Sequence, residues 1–234
     1  MDDRGRSEAV AAPRTAGLVD LRGGSDGPVL LHYPPDAVVV VSGLPGSGKS
    51  TLLGRWSAAV AVVDPRDVHE ACEAVMPERI PYAVYRPWAR LVHVRWLRAA
   101  VRGGGPLLVH DCGSRPWLRR WLARSAGRQG RELHLVVLDV GHAEALAGQR
   151  ARGRWAPRRA FARHRAGLDR LLAALARPAA GTVAGAGAET VAGAAPVPAA
   201  VAEATSVVLL DRVSREHVSA RFGAGAVRTV AARR

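Results

Sequence analysis

Eight consecutive residues, Gly43-Leu44-Pro45-Gly46-Ser47-Gly48-Lys49-Ser50, combine three glycines, one ammonium and two hydroxyls at a spacing that suits phosphate. In the pattern G-x-x-x-x-G-K-[ST] the glycines let the backbone curl with its N–H groups pointing inward, making a concave nest for an anion. The lysine can neutralise phosphate oxygens and the hydroxyl can ligate a divalent metal. Thr51 is a lesser candidate for phosphate contact. The run 37–42 before the loop is built on four consecutive β-branched valines, and residues 50–60 after it read as a helix. A strand in and a helix out put the nest at a helix N-terminus, where the backbone dipole also favours negative charge. Residues 38–53 are therefore expected to bind the phosphates of a nucleoside triphosphate together with Mg²⁺.

Composition sharpens Lys49. Basic residues outnumber acidic ones by 34 to 20 in the 234-residue chain, for a formal net charge of +14, yet Lys49 is the one lysine. Asn is absent and Ile occurs once, as expected of a GC-rich coding sequence in which arginine displaces lysine. A planar guanidinium cannot replace a compact ammonium between phosphates, so the retained lysine marks a working loop. The basic surplus attracts anions, which makes RNA or DNA a candidate partner alongside the nucleotide. Two cysteines, Cys72 and Cys112, make no disulfide framework. No apolar run approaches the roughly 20 residues of a membrane span, and Met1-Asp2-Asp3-Arg4 does not begin a secretory signal. A cytoplasmic protein without a membrane partner is expected.

The elements that must position the loop alternate along the chain. Strands are predicted at 29–32, 37–42, 61–64, 107–111 and 132–140, with helices at 50–60, 66–75, 86–102, 117–126, 142–150 and 158–176. Alternation at this pitch implies an α/β fold of three layers, a mostly parallel sheet flanked by helices. Residues 1–28 read as a flexible leader, 29–176 as the phosphate-binding domain, and 177–205, rich in Ala, Gly and Pro, as a mobile linker. Residues 206–234 form a C-terminal segment with a basic tail, in which 206–210 is a candidate extra strand. The helix around 82–102 interleaves Tyr82, Tyr85, Trp88 and Trp96 with Arg86, Arg90, Arg95 and Arg98. Such interleaving can stack bases, but an amphipathic helix burying its tryptophans under a basic outer face is the favoured reading. Trp117 and Trp121 likewise read as core.

Two classes are disfavoured by what is missing. A guanine-reading N-K-x-D motif cannot exist in a chain without Asn or a second Lys. Asp111 is followed by Cys112 and Gly113 and not by the water-activating Glu of ring-forming ATPases.

The segment from Val39 through Thr51, Asp64-Pro-Arg-Asp67, the stretch from His110 to Trp117, and Gln149-Arg-Ala-Arg-Gly-Arg154 together resemble the polynucleotide-kinase/zeta-toxin-like group of P-loop kinases over residues 36–175. Proteins of this group often carry only the broad description of AAA-family ATPases. The resemblance implies ATP and Mg²⁺ as cofactors and phosphoryl transfer to a hydroxyl acceptor, whose identity no motif reveals. It also places the general base at Asp67, with Asp64 as runner-up because it lies closer to the strand end, although an Asp at either place could instead cap the following helix. Asp111 would join Ser50 at the metal, with Asp139 a competing candidate. Arg152 or Arg154 would close over the phosphates as an arginine lid. A nucleotide-dependent regulatory module without transfer is the alternative.

Overall fold

The computed structural model describes residues 15–24, 27–112, 115–153, 156–176 and 195–223. Its strands are β1 (Gly17–Asp20), β2 (Val29–Tyr33), β3 (Val38–Gly43), β4 (Ala61–Val63), β5 (Leu107–His110), β6 (Leu133–Leu138), β7 (Ser206–Leu210) and β8 (Val218–Phe222). The helices are α1 (Lys49–Trp56), α2 (Pro65–Glu73), α3 (Tyr82–Arg102), α4 (Pro116–Gly127), α5 (His142–Arg150), α6 (Arg158–Leu175) and α7 (Arg212–His217).

Six strands pair in the order β1-β7-β6-β3-β5-β4, every pair parallel. β3 sits in the middle, which is why its Val38-Val-Val-Val-Ser-Gly43 run is buried along its whole length. A strand with both faces covered reads as continuous apolar sequence. Its alternate side chains feed two cores. Val38 and Val40 join Leu97 of α3, Leu122 of α4 and Leu168 of α6 on one face. Val39 and Val41 join Leu52, Leu53 and Trp56 of α1 on the other. Leu31 and Val218 close that second face through a separate parallel pair, β2 with β8.

The domain limits expected from composition shift at both ends. Residues 17–20 of the expected leader form edge strand β1, paired residue for residue with β7. Within the expected linker, Ala195 bridges Leu18, and Val201 and Ala204 are buried in the first core. The sheet thus draws strands from outside 29–176. The rest of the leader and residues 177–194 of the linker, like the tail beyond 223, lie outside the described residues. No helix among the described residues is long and apolar enough to cross a membrane.

The tryptophan expectation is corrected. The buried stripe of α3 is Tyr85, Ala89, His93, Leu97 and Val101, at four-residue spacing. Trp88 and Trp96 flank that stripe on the outer side and are 50% and 40% exposed, and Trp117 is 55% exposed. Both sides of α3 carry apolar residues, so periodicity alone could not tell which side met the sheet.

One arginine staples the far end of the sheet. Arg131 is buried and donates to the carbonyls of Asp36 (2.7 Å), Gly105 (2.6 Å) and Val101, tying together three chain segments. Hydrogen bonds to a charged group contribute about 1.5–3 kcal/mol each. Arg131→Met should therefore lower unfolding free energy by about 3 kcal/mol or more in urea titration, and Arg131→Lys should rescue little, lacking the fork. A midpoint equal to wild type would remove this assignment.

Candidate functional site

β3 ends at Gly43 and α1 begins at Lys49, so the intervening residues turn the chain from sheet to helix. Gly46 and Gly48 adopt φ of 91° and 92°, in the left-handed region that favours glycine. Space demands glycine as well: a Cβ would lie 2.0 Å from the Ala145 carbonyl oxygen at Gly46 and 2.0 Å from Arg215 Nη1 at Gly48. The first turn of α1 has no acidic residue and no side-chain cap, which leaves its N–H groups to an anion. Ser47 Oγ is buried with no partner among the described residues. Bare glycine backbone, unused donors and a helix N-terminus fit a polyphosphate.

Lys49 is buried, and its Nζ donates to the carbonyls of Gly43 and Leu44, both at 2.7 Å. Burial pushes its ammonium below the usual range, opposed by the negative charges of Cys112, Asp111 and Asp64. Leu44 is buried, while Thr51 points to the exposed side of α1. Two elements hold the loop from outside. On α5, buried Gln149 donates through Nε2 to the Pro45 carbonyl (3.0 Å) and accepts from the Ala156 N–H (2.8 Å). Gly148 permits this approach, since a Cβ there would lie 2.4 Å from the Gly46 carbonyl. From α7, Arg215 Nη1 donates to the Ser47 carbonyl (2.5 Å), and Arg55 of α1 donates back to the carbonyls of Arg215 and Glu216.

The second wall comes from the ends of β4 and β5. Asp64 caps α2, accepting from the Arg66 N–H at 2.9 Å, and its other oxygen lies 2.7 Å from His110 Nδ1. Burial pushes the Asp64 carboxyl up, but the His110 bond and charge outweigh it and hold the group below its ordinary value. Burial likewise depresses His110, and its bonds to Asp64 and Cys112 more than reverse this. Asp64 thus caps α2 with one oxygen and contacts His110 with the other. Asp67 lies in the first exposed turn of α2, its carboxyl raised by slight burial and by the charges of Asp64 and Glu70.

Asp111 follows β5, is buried, and accepts from Ser42 Oγ at 3.2 Å. Asp139, the competing metal candidate, is paired with Arg22 at 2.6 Å beyond the end of β6. Lys49, Ser50, Arg66, His110, Cys112 and Arg152 line one cavity of about 490 Å³, which Gly46, Gly48 and Gln149 also border. Neither Asp67 nor Asp64 lines it; Asp64 reaches it through His110. Arg154 lies outside the described residues. Among the described residues no cluster of three or more His, Cys, Asp or Glu could hold a metal. A divalent cation would therefore rely on the hard oxygens of Ser50 and Asp111 and on phosphate itself, a donor set that suits Mg²⁺.

Sequence reading missed His110, Gln149 and Arg215. His110 has no partner at short spacing in the sequence, because Asp64 stands 46 residues away. Cys112 is partly buried and borders the cavity. His93 from α3 is buried nearby, its ring depressed by burial and by Arg115.

The sequence model described as AAA domain matches residues 38–178. Among solved structures, similarity extends to the PezAT chromosomal toxin-antitoxin system of Streptococcus pneumoniae, at 13% identity over 57% of this chain, with a TM-score of 0.40. The chain spans 56% of that structure's length. The tunicamycin resistance protein of Deinococcus radiodurans matches at 19% identity over 58% of this chain and 80% of its own, TM-score 0.39. A gluconokinase from Sinorhizobium meliloti 1021 matches at 15% identity over 79% and 89%, TM-score 0.39. No curated protein matches the sequence.

Proposed function

The chain belongs to the AAA domain family, with a P-loop kinase-like fold, and from that premise we propose that it is an ATP- and Mg²⁺-dependent phosphotransferase acting on a hydroxyl. One observation carries the reading: a single cavity is bordered by the phosphate nest with Lys49 and Ser50 and, at the end of the neighbouring strand β5, by His110 anchored on Asp64. A donor phosphate and an acceptor hydroxyl need such shared space to meet in line.

Each residue then has a task. Loop N–H groups and Lys49 bind the β- and γ-phosphates, Lys49 exchanging the Gly43 and Leu44 carbonyls for phosphate oxygens. Mg²⁺, when bound through Ser50 and Asp111, supplies charge neutralisation on the phosphates. Asp64 lies behind His110, so the acceptor proton passes to His110 Nε2 while Asp64 holds the Nδ1 proton and balances the charge that forms on the ring. Arg152 lines the cavity and is placed to stabilise charge on the transferring group, with Arg154 as its alternative in the lid. Asp67 is a secondary candidate for the base. The absence of a Glu after Asp111 argues against simple water activation.

A second reading is an ATP-dependent regulatory module without productive transfer. It draws on Gln149 and Arg215, which couple the loop to the lid segment and to α7. The deciding experiment incubates the protein with labelled ATP and pooled acceptors: nucleosides, RNA 5′-ends, amino sugars and antibiotics. Label transfer to one pool is the expected result. Tight ATP binding with a changed proteolysis pattern and no labelled product would favour the regulatory module.

A further inference from the structure

From Arg79 to Arg131 the sequence carries twelve arginines and a single carboxylate, Asp111, which is buried. Arg119 of α4 and Arg131 beyond it are buried, but every other arginine of α3 and α4 is exposed, so the outer surfaces of these helices present cations with no acidic residue of their own. None of the five α3 arginines forms an ion pair among the described residues. The same region collects the exposed aromatics. Only eleven of the 234 residues are aromatic, yet Tyr82, Trp88, Trp96 and Trp117 are all exposed here. Trp88, Arg95, Arg98 and Arg102 follow helical spacing down the side of α3 away from its buried stripe, with Trp96 beside them.

Topology fixes where this surface begins. β4 and β5 are parallel neighbours and α3 lies between them in sequence, so α3 must run antiparallel to the strands. Its N-terminal end, with Tyr82 and Trp88, lies toward the sheet edge that holds the phosphate loop; its C-terminal arginines descend from that edge. Trp117 opens α4 at the same edge.

We propose that this face docks single-stranded nucleic acid, laying bases on Trp88, Trp96 and Trp117 and phosphates on Arg95, Arg98 and Arg102. Stacked aromatic faces joined to a cationic track are what a flexible polynucleotide needs, and every base offers a π-face to a tryptophan. A second copy of the chain fits poorly, because pairing this face with itself opposes arginine to arginine without a carboxylate between. A purely acidic partner would satisfy the arginines and leave the tryptophans in water.

The test uses full-length protein and a fluorescein-labelled 15-nucleotide RNA, followed by anisotropy at several salt concentrations. Wild type should bind in a salt-dependent manner. Trp88→Ala should lose about tenfold in affinity. Arg95→Gln with Arg98→Gln should flatten the log–log salt slope by about 1.4. Lys49→Ala should bind the RNA as wild type does, which separates this face from the nucleotide cavity and from the fate of the kinase reading. Unlabelled duplex RNA or polyglutamate competing as well as single strand would overturn the proposal. So would absence of binding, or a dimer in sedimentation that Trp88→Ala dissolves. Trp88, Arg95 and Arg98 are exposed positions, and thermal melts check that these variants and Lys49→Ala fold.

Discussion

Lys49→Ala should abolish nucleotide binding, with calorimetry in Mg²⁺ showing at least a hundredfold loss of affinity. The size follows from position. The ammonium is buried and desolvated beside the loop, so its interaction with phosphate acts in a low dielectric, where a charge counts for far more than at a surface. The substitution also removes two hydrogen bonds to Gly43 and Leu44, which raises the question of a loop that has simply collapsed. Lys49→Met answers it, since it removes the charge and its donors but keeps the aliphatic volume that fills the space under the loop. The apo protein with Met at this site should melt close to wild type, because burying an ammonium carries a desolvation cost that its loss relieves. Lys49→Arg should not restore affinity, as the guanidinium is longer and planar. Wild-type ATP affinity in Lys49→Met would end the phosphate-loop assignment.

How much of this was legible beforehand depends on the range of each interaction. The phosphate loop was readable because its chemistry needs fixed residue types at fixed short spacing, and the valine run of β3 was readable because a central parallel strand is apolar on both faces. β1 and β8 were not, since four or five residues without periodicity become strands only when β7 and β2 arrive to pair with them. The His110–Asp64 contact joins ends of adjacent strands separated by a whole crossover. Gln149 gave no local signal, because its partner at Pro45 is 104 residues away. Arg215 sits in a tail whose sequence looked like a basic appendage, and its role appears only once α7 meets α1. Composition misled most where it stood in for packing, as at residues 195–205, whose small apolar side chains fit against the core.

Asp64→Asn should lower phosphoryl transfer by about 10²–10⁴-fold, the usual effect of losing a positioned base, while ATP affinity stays at the wild-type level. Asparagine is the informative substitution because it caps a helix about as well as aspartate. The bond that Asp64 accepts from the Arg66 N–H can therefore persist, and α2 should stay in place. What asparagine cannot do is balance the charge of a His110 ring that has taken the acceptor's proton. Asp67→Asn should leave transfer within about twofold of wild type, for its carboxylate lies in an exposed turn outside the cavity. Asp111→Asn should behave differently from both, lowering Mg²⁺-dependent ATP binding and turnover together if, as proposed, Asp111 joins Ser50 in holding the metal. Arg152→Ala should cost turnover more than affinity if its charge acts on the transferring group. The four variants are compared by ATP affinity and by product formed with the acceptor found in the pooled assay. Full transfer in Asp64→Asn alongside a loss in Asp67→Asn would return the base to Asp67 and require α2 to rotate on substrate binding. Full transfer in both would remove carboxylate base catalysis from this site and leave nucleotide positioning as its whole contribution.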